Sequence, residues 1–434
     1  MKNIFLIAAA LLFSVEFTLN AQKTWTLEEC IQYAHQNNIQ IKRQELLTEI
    51  TENNYQQSKL DRLPNVNAGV FYNFSSGRNL NTETYKWEDT GNQEGSLGIS
   101  SDLNLFNGFQ VNNTIQMNHL DLMRDLQLIE KTKNDITMSI ATSYLQILFD
   151  YELVELAQSQ KNVTQQQVER TKKLVESGNR AKGDLLEIQA QLSNDVLNLT
   201  NAENNLKIGY LQLIQLLQLE LDSVNDFTIL RPELAEYKGE IEKSVSEYYN
   251  LALNHLPEIK SSEYNLLARE KSLAIAKGKR SPRFYLGADY YSRYNKNATN
   301  LINVNETYGL LDQLNDNQYR QLSLNLNIPI FNRRTVETNI SNNRILLDDA
   351  GLILEQTKRE LLLEIQQAHS DATSALVKYN ASYEAVRSNE ESFNYTQQKF
   401  EVGLVNSVDY NIAKTTCLKP GRIYCRLNTN TFLN

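Results

Sequence analysis

The chain is written twice, and this repetition limits its possible folds more than any other feature. Thr171-Lys172-Lys173-Leu174-Val175-Glu176-Ser177-Gly178 reads like Thr396-Gln397-Gln398-Lys399-Phe400-Glu401-Val402-Gly403. Six residues after each glycine stands an aspartate, Asp184 and Asp409, 225 positions apart. The same spacing carries Leu105-Phe106-Asn107-Gly108 onto Ile330-Phe331-Asn332-Arg333. A spacing of 218 carries Pro64, Val66 and Gly69 onto Pro282, Phe284 and Gly287. Three matches in one order point to a duplicated unit, so what one half builds the other builds again.

Each half reads as helix, two strands, very long helix, tight turn and return helix. Thr26 and Glu29 form a capping box ahead of a helix through Ile31, Ala34, Ile39, Leu46 and Ile50 to about Lys59. Val66, Ala68, Val70 and Tyr72 then alternate with polar or small residues, and Leu97, Ile99, Leu103 and Leu105 repeat that period. Ser76 to Glu94, polar and glycine-rich, reads as a loop between two strands. The second half answers with Phe284, Leu286, Ala288 and Tyr290, then Leu322, Leu324, Leu326 and Ile328, around a polar loop from Asn295 to Asn317. After each strand pair comes a proline-free stretch, Gly108 to Ser177 and Asn332 to Val402, 70 and 71 residues long. A helix of that length measures about 105 Å, against an average near 12 residues. Leu145, Leu148, Leu153 and Leu156 in one, and Leu361, Ile365, Ala368 and Ala372 in the other, form stripes suited to antiparallel coiled-coil packing.

Residues 1–21 read as a secretory signal: Lys2, an apolar run from Ile4 to Phe17, and Ala21 at the cut point. Residues 22–222 then form the first repeat, 223–240 a connection, and 241–416 the second repeat. Residues 417–434 break the pattern. Lys419-Pro420-Gly421 stops a helix that should continue, so this ending reads as truncated or frameshifted, the alternative being a genuine short variant. Beyond the signal no apolar run is long enough for a membrane-spanning helix. Cys30, Cys417 and Cys425 are too few and too scattered for a disulfide framework. With 43 basic and 52 acidic residues and no basic patch, nucleic acid is a poor partner. His35, His119, His255 and His369 do not cluster, so neither a metal site nor a cofactor is expected.

Strands with one apolar face fit either a soluble sandwich or an outer-membrane barrel, and a length of about ten residues favours the barrel. Tyr72, Phe74, Tyr290, Tyr291 and Tyr294 stand towards the loop ends and Phe106 and Phe331 at the helix ends, as interface belts would; aromatics filling a core are the plainer alternative. Four strands cannot close a barrel, and lipid forbids an open edge. If these strands span a membrane, several copies must close the wall together.

Taken together, the paired junctions Leu105-Phe106-Asn107-Gly108 and Ile330-Phe331-Asn332-Arg333, the strand starts at Pro64 and Pro282, and the turns leading to Asp184 and Asp409 resemble the TolC-like outer-membrane efflux protein family. The opening Trp25-Thr26-Leu27-Glu28-Glu29-Cys30-Ile31 is also similar. The resemblance implies an α+β membrane protein whose four strands per chain join a twelve-stranded trimeric barrel, with long antiparallel helices forming a periplasmic α-barrel. It implies a passive exit duct that docks to a periplasmic adaptor and, through it, to an inner-membrane pump or ABC exporter. Val175, Gly178, Phe400, Gly403 and Leu404 would then be adaptor-contact tips, and Asp409 and Asp184 gate acids. Phe106, Asn107, Gly108, Phe331 and Asn332 would be the strand-to-helix junctions. Members similar to the family's best-known example carry a second aspartate three residues after the first; this chain has Ile412 there, so it departs from the double acidic ring. Asp184 and Asp409 also suit helix caps or first-turn acids. A soluble periplasmic coiled-coil adaptor or structural protein is the alternative reading.

Overall fold

The computed structural model describes residues 24–81, 85–219, 227–232, 243–298, 308–405, 409–410, 412–414 and 416–417. The signal at 1–21, Cys425 and the tail beyond Cys417 lie outside the described residues. Contacts divide the chain into two compact units, each drawing on both sequence halves: Met1–Glu45, Ile129–His255 and Arg359–Asn434 in one, Leu46–Leu128 and Leu256–Lys358 in the other.

In the first unit, β1 (Thr24–Trp25) pairs in parallel with β4 (Thr228–Ile229). Helix α1 (Leu27–Asn37) starts with the expected capping box, Glu29 N–H donating to Thr26 Oγ1 at 3.1 Å and Thr26 N–H donating to Glu29 Oε2 at 2.9 Å. The single first helix expected from the sequence is broken. Asn38 leaves helical geometry with ψ 127°, its side-chain Nδ2 donating to Leu216 O at 3.0 Å, and α2 (Ile39–Leu60) follows. The twin position, 218 residues on, is Leu256 with ψ 131°, between α5 (Val245–His255) and α6 (Pro257–Gly278). Pro257 accounts for the second break by removing a helical N–H donor. Asn38 makes the first by bonding elsewhere, a choice without periodic signal. The main core of this unit joins Cys30, Ala34 and Ile41 to Ile136, Ile140 and Ile147 on α3 (Gln110–Glu176) and to Leu213 and Leu217 on α4 (Lys182–Leu217). Helices α3 and α8 (Thr335–Glu401) are 67 residues each, about 100 Å.

The second unit holds one antiparallel sheet in the order β2 (Asn67–Asn81), β3 (Lys86–Phe106), β5 (Arg283–Asn295), β6 (Gln318–Asn327). Here the sequence expectation is corrected. Most of Ser76–Glu94 is paired strand, Ser76 opposite Gly91 and Arg78 opposite Asp89, rather than loop. Backbone pairing needs no apolar side chain, so a stretch polar on both faces carries no alternation to read. Part of the second loop also has structure: α7 (Leu310–Asp316) carries fully buried Gln313, which accepts from Asn295 N–H and donates to Tyr308 O, both at 2.8 Å.

Candidate functional site: the sheet and the helical turns

The sheet copies itself in register. Moving β2 by 218 and β3 by 225 turns Ala68 opposite Ile99 into Leu286 opposite Leu324, and Val70 opposite Leu97 into Ala288 opposite Leu322. Tyr72 opposite Gly95 becomes Tyr290 opposite Arg320. All three derived pairs are observed, so the spacings read from the sequence hold down to hydrogen-bond register. Side-chain contacts follow: Arg62 donates to Asn112 Oδ1 at 2.8 Å, and their counterparts Arg280 and Glu337 form an ion pair.

One face of the sheet is apolar across all four strands, with Val70 and Leu97, Leu103 and Leu286, and Leu286 and Leu324 as neighbours. Much of that face is open, Val70 being 79 % and Leu322 74 % exposed. Two strands, β2 and β6, have no neighbour on one side among the described residues. Exposed apolar side chains beside unpaired backbone are unstable in water, and an unpaired edge is barred in lipid. The arrangement therefore needs both a lipid surround and a pairing partner.

The junctions are doubled too. Gly108 and Phe109 both take left-handed conformations, φ 68° and 60°, and so do their counterparts Arg333 and Arg334, φ 53° and 63°. Phe106 packs edge-on against Phe109 at 5.4 Å, and Asn107 Oδ1 accepts from Val111 N–H at 3.4 Å. On the second side Thr335 N–H donates to Asn332 O at 3.1 Å, while Phe331 is exposed.

The turns that follow the long helices share one geometry. Gly178 and Gly403 have φ 77° and 79°. Gly178 N–H bonds to Val175 O and Asn179 N–H to Leu174 O; Gly403 bonds to Phe400 O and Leu404 to Lys399 O. This is the Schellman closure, in which a left-handed glycine lets the chain reverse and satisfies terminal carbonyls. Gly178, Gly403 and Leu404 are exposed and Val175 half-buried, but Phe400 is only 7 % exposed. Its ring stacks on Tyr410 at 4.6 Å and carries the Arg180 guanidinium at 4.9 Å. Arg180 also meets Asp184 at 3.5 Å, so the structure joins Asp184 and Phe400 through an arginine that the sequence reading did not single out. Asp184 lies in the first turn of α4, and the N-cap is Ala181, without a side-chain hydrogen bond. Asp409 is exposed.

Beneath these turns lies a buried polar cluster with no periodic signature in the sequence. Lys414 Nζ donates to Thr164 Oγ1 at 2.6 Å, and the Thr164 hydroxyl donates to Asp195 Oδ2. Gln191 donates to Asp195 Oδ1 at 2.8 Å. Lys414, Asp195 and Thr164 are 5 %, 3 % and 2 % exposed. Burial pushes the Lys414 ammonium down to about 8, against the opposing pull of Asp195. Burial likewise raises the Tyr410 phenol.

No helix among the described residues is long and apolar enough to cross a membrane, and none of their His, Cys, Asp and Glu side chains group to hold a metal. An exposed apolar sheet with open edges, joined in sequence to helices of 67 residues, suits a protein that combines membrane-facing strands with long helices. The description "Outer membrane efflux protein" matches residues 30–218 and 248–420, and the chain belongs to that family. It is accordingly an outer-membrane efflux channel rather than an enzyme, and the soluble-adaptor alternative falls away. Among solved structures, the chain is similar to the outer membrane protein VceC of Vibrio cholerae, with 16% identity, 94% of this chain and 93% of that one covered, and a TM-score of 0.81. It is also similar to CusC, at 16% identity, 94% and 89% coverage and a TM-score of 0.80. The Campylobacter jejuni CmeC outer membrane channel matches at 14% identity, 94% and 83% coverage and a TM-score of 0.81. No curated protein sequence matched the chain.

Proposed function

We propose that three copies of this chain close one twelve-stranded barrel and act as the passive exit duct of a tripartite export system. The observation that carries this reading is the four-stranded sheet with an exposed apolar face and two unpaired edge strands. Every edge must be paired in lipid, and only further copies supply strands of matching face and length. Free energy for transport comes from a partner, an inner-membrane pump or ABC exporter reached through a periplasmic adaptor. The exposed turn residues Gly178, Gly403 and Leu404, with Val175 beside them, are the adaptor-contact surface; Phe400 supports that surface from beneath. Asp409, exposed just after the second turn, is the acid placed to line the closed entrance, and Asp184 is tied to Arg180. The strand-to-helix junctions at Phe106–Gly108 and Phe331–Asn332 set the ends of the membrane wall. Mass measured in mild detergent, corrected for bound detergent, is expected to equal three chains. A stable, conducting monomer would sink the proposal.

A further inference from the structure

The two free edges of the sheet can be matched residue by residue from within a single chain. Where the two sequence halves meet, β3 lies against β5 with Leu97 opposite Ser292, Ile99 opposite Tyr290 and Ser101 opposite Ala288. Strand β6 is the counterpart of β3 at a spacing of 225, and β2 the counterpart of β5 at 218. Those spacings already convert the first hairpin into the second, pair for pair. Applied to the β3–β5 seam, they place Leu322 opposite Phe74, Leu324 opposite Tyr72 and Leu326 opposite Val70 of the next copy. We infer that β6 of one copy pairs with β2 of the next, antiparallel and in this register. The inference rests on the proposed closure by several copies, though not on their number.

The faces of the two strands supply an independent check. Val70, Tyr72 and Phe74, like Leu322, Leu324 and Leu326, all belong to the apolar face, and all six are at least 60 % exposed in the single chain. The derived register sets the three leucines against the aliphatic and aromatic side chains, pairings that stabilise neighbouring strands. On the other face it sets Ser323 opposite Asn73 and Gln321 opposite Ser75. A slip of one residue would turn every apolar side chain of one edge to the polar face. A slip of two residues keeps the faces but breaks the repeat, so it is the rival that an experiment must separate.

Four single substitutions suffice: Tyr72→Cys, Phe74→Cys, Leu322→Cys and Leu324→Cys. Residues directly opposite in an antiparallel pair have Cα atoms about 4.5–5.5 Å apart, within the range a disulfide spans. A two-residue shift moves them roughly 7 Å along the strand. The doubly substituted chains 324 with 72 and 322 with 74 are in register; 324 with 74 and 322 with 72 use the same substitutions out of register. After oxidation in outer membranes, non-reducing denaturing gels should show covalent oligomers for the first two at several times the yield of the second two. The parent chain, which keeps Cys30, Cys417 and Cys425, sets the background. Because every substitution occurs in both sets, impaired insertion cannot imitate the pattern. Shifted pairs that link as well or better overturn the register, as does a protein of oligomeric mass that links at none of the four pairings. In either case the unoxidised mass in detergent shows that closure itself survives. A monomeric mass with no links between copies overturns closure and the register together.

Discussion

A buried lysine and an orphaned phenol make the turn region sensitive to single side chains. Lysine is rarely this buried without a partner, and Lys414 has Thr164 with Asp195 behind it. Its folded value, about 8, lies below the 10.5 of the free side chain. The folded chain therefore sheds this proton first as pH rises. Its stabilising contribution is complete above 10.5, grows between about 8 and 10.5, and is lost as pH falls through 8. The difference in thermal midpoint between the parent and Lys414→Met should shift in the parent's favour across that window; a constant difference would refute the assignment. Tyr410 is 2 % exposed; Gln167 lies close enough to draw the phenol's pKa down against burial, but neither Tyr410 Oη nor Gln167 Oε1 has a partner in good hydrogen-bond geometry among the described residues. Removing an unsatisfied buried hydroxyl costs nothing, so Tyr410→Phe should hold or raise stability by up to about 1 kcal/mol. Removing the ring in Tyr410→Ala should cost about 3–5 kcal/mol. Denaturation midpoints in detergent separate the two.

Among the elements, the strand-to-helix junctions show how a repeat tolerates different residues at one conformation. A Cβ on Gly108 would stand 2.4 Å from Gly278 O and 2.7 Å from Ser281 Cβ, so this junction combines a left-handed φ with backbone contact. Its counterpart Arg333 holds the same conformation with a full side chain and is exposed. Gly108→Ala should therefore cost about 2–4 kcal/mol, left-handed strain and steric overlap together. Gly351, inside α8 with open space around it, should behave oppositely, Gly351→Ala gaining about 1 kcal/mol. Thermal midpoints of the two variants check the contrast. Equal effects would mean that the Gly108–Gly278 approach is not a constraint.

For the whole molecule, the proposed closure by several copies would bring one Asp409 from each copy to the entrance. Asp409→Ala, measured in a planar bilayer, should raise single-channel conductance or weaken block by multivalent cations. Unchanged conductance, voltage response and block would make Asp409 a first-turn acid with no part in the gate.

Periodicity and repetition were legible without any structure. Turn glycines at 178 and 403, the capping box at Thr26 and two helices of very unusual length follow from local chemistry. The spacings 218 and 225 even contain the second hairpin's register, because duplicated side chains on duplicated faces pair in only one way. Other features were decided by partners distant in the chain. The break at Asn38 depends on Leu216 O, the burial of Phe400 on Tyr410 and Arg180, and the buried Lys414 on Thr164 and Asp195. The strands through Ser76 and Gly91 owe their existence to each other's backbone, which has no side-chain pattern to announce it. Local sequence sets which conformations are cheap; the tertiary structure decides which polar and aromatic groups meet, because burial and hydrogen bonding depend on what the rest of the chain brings alongside.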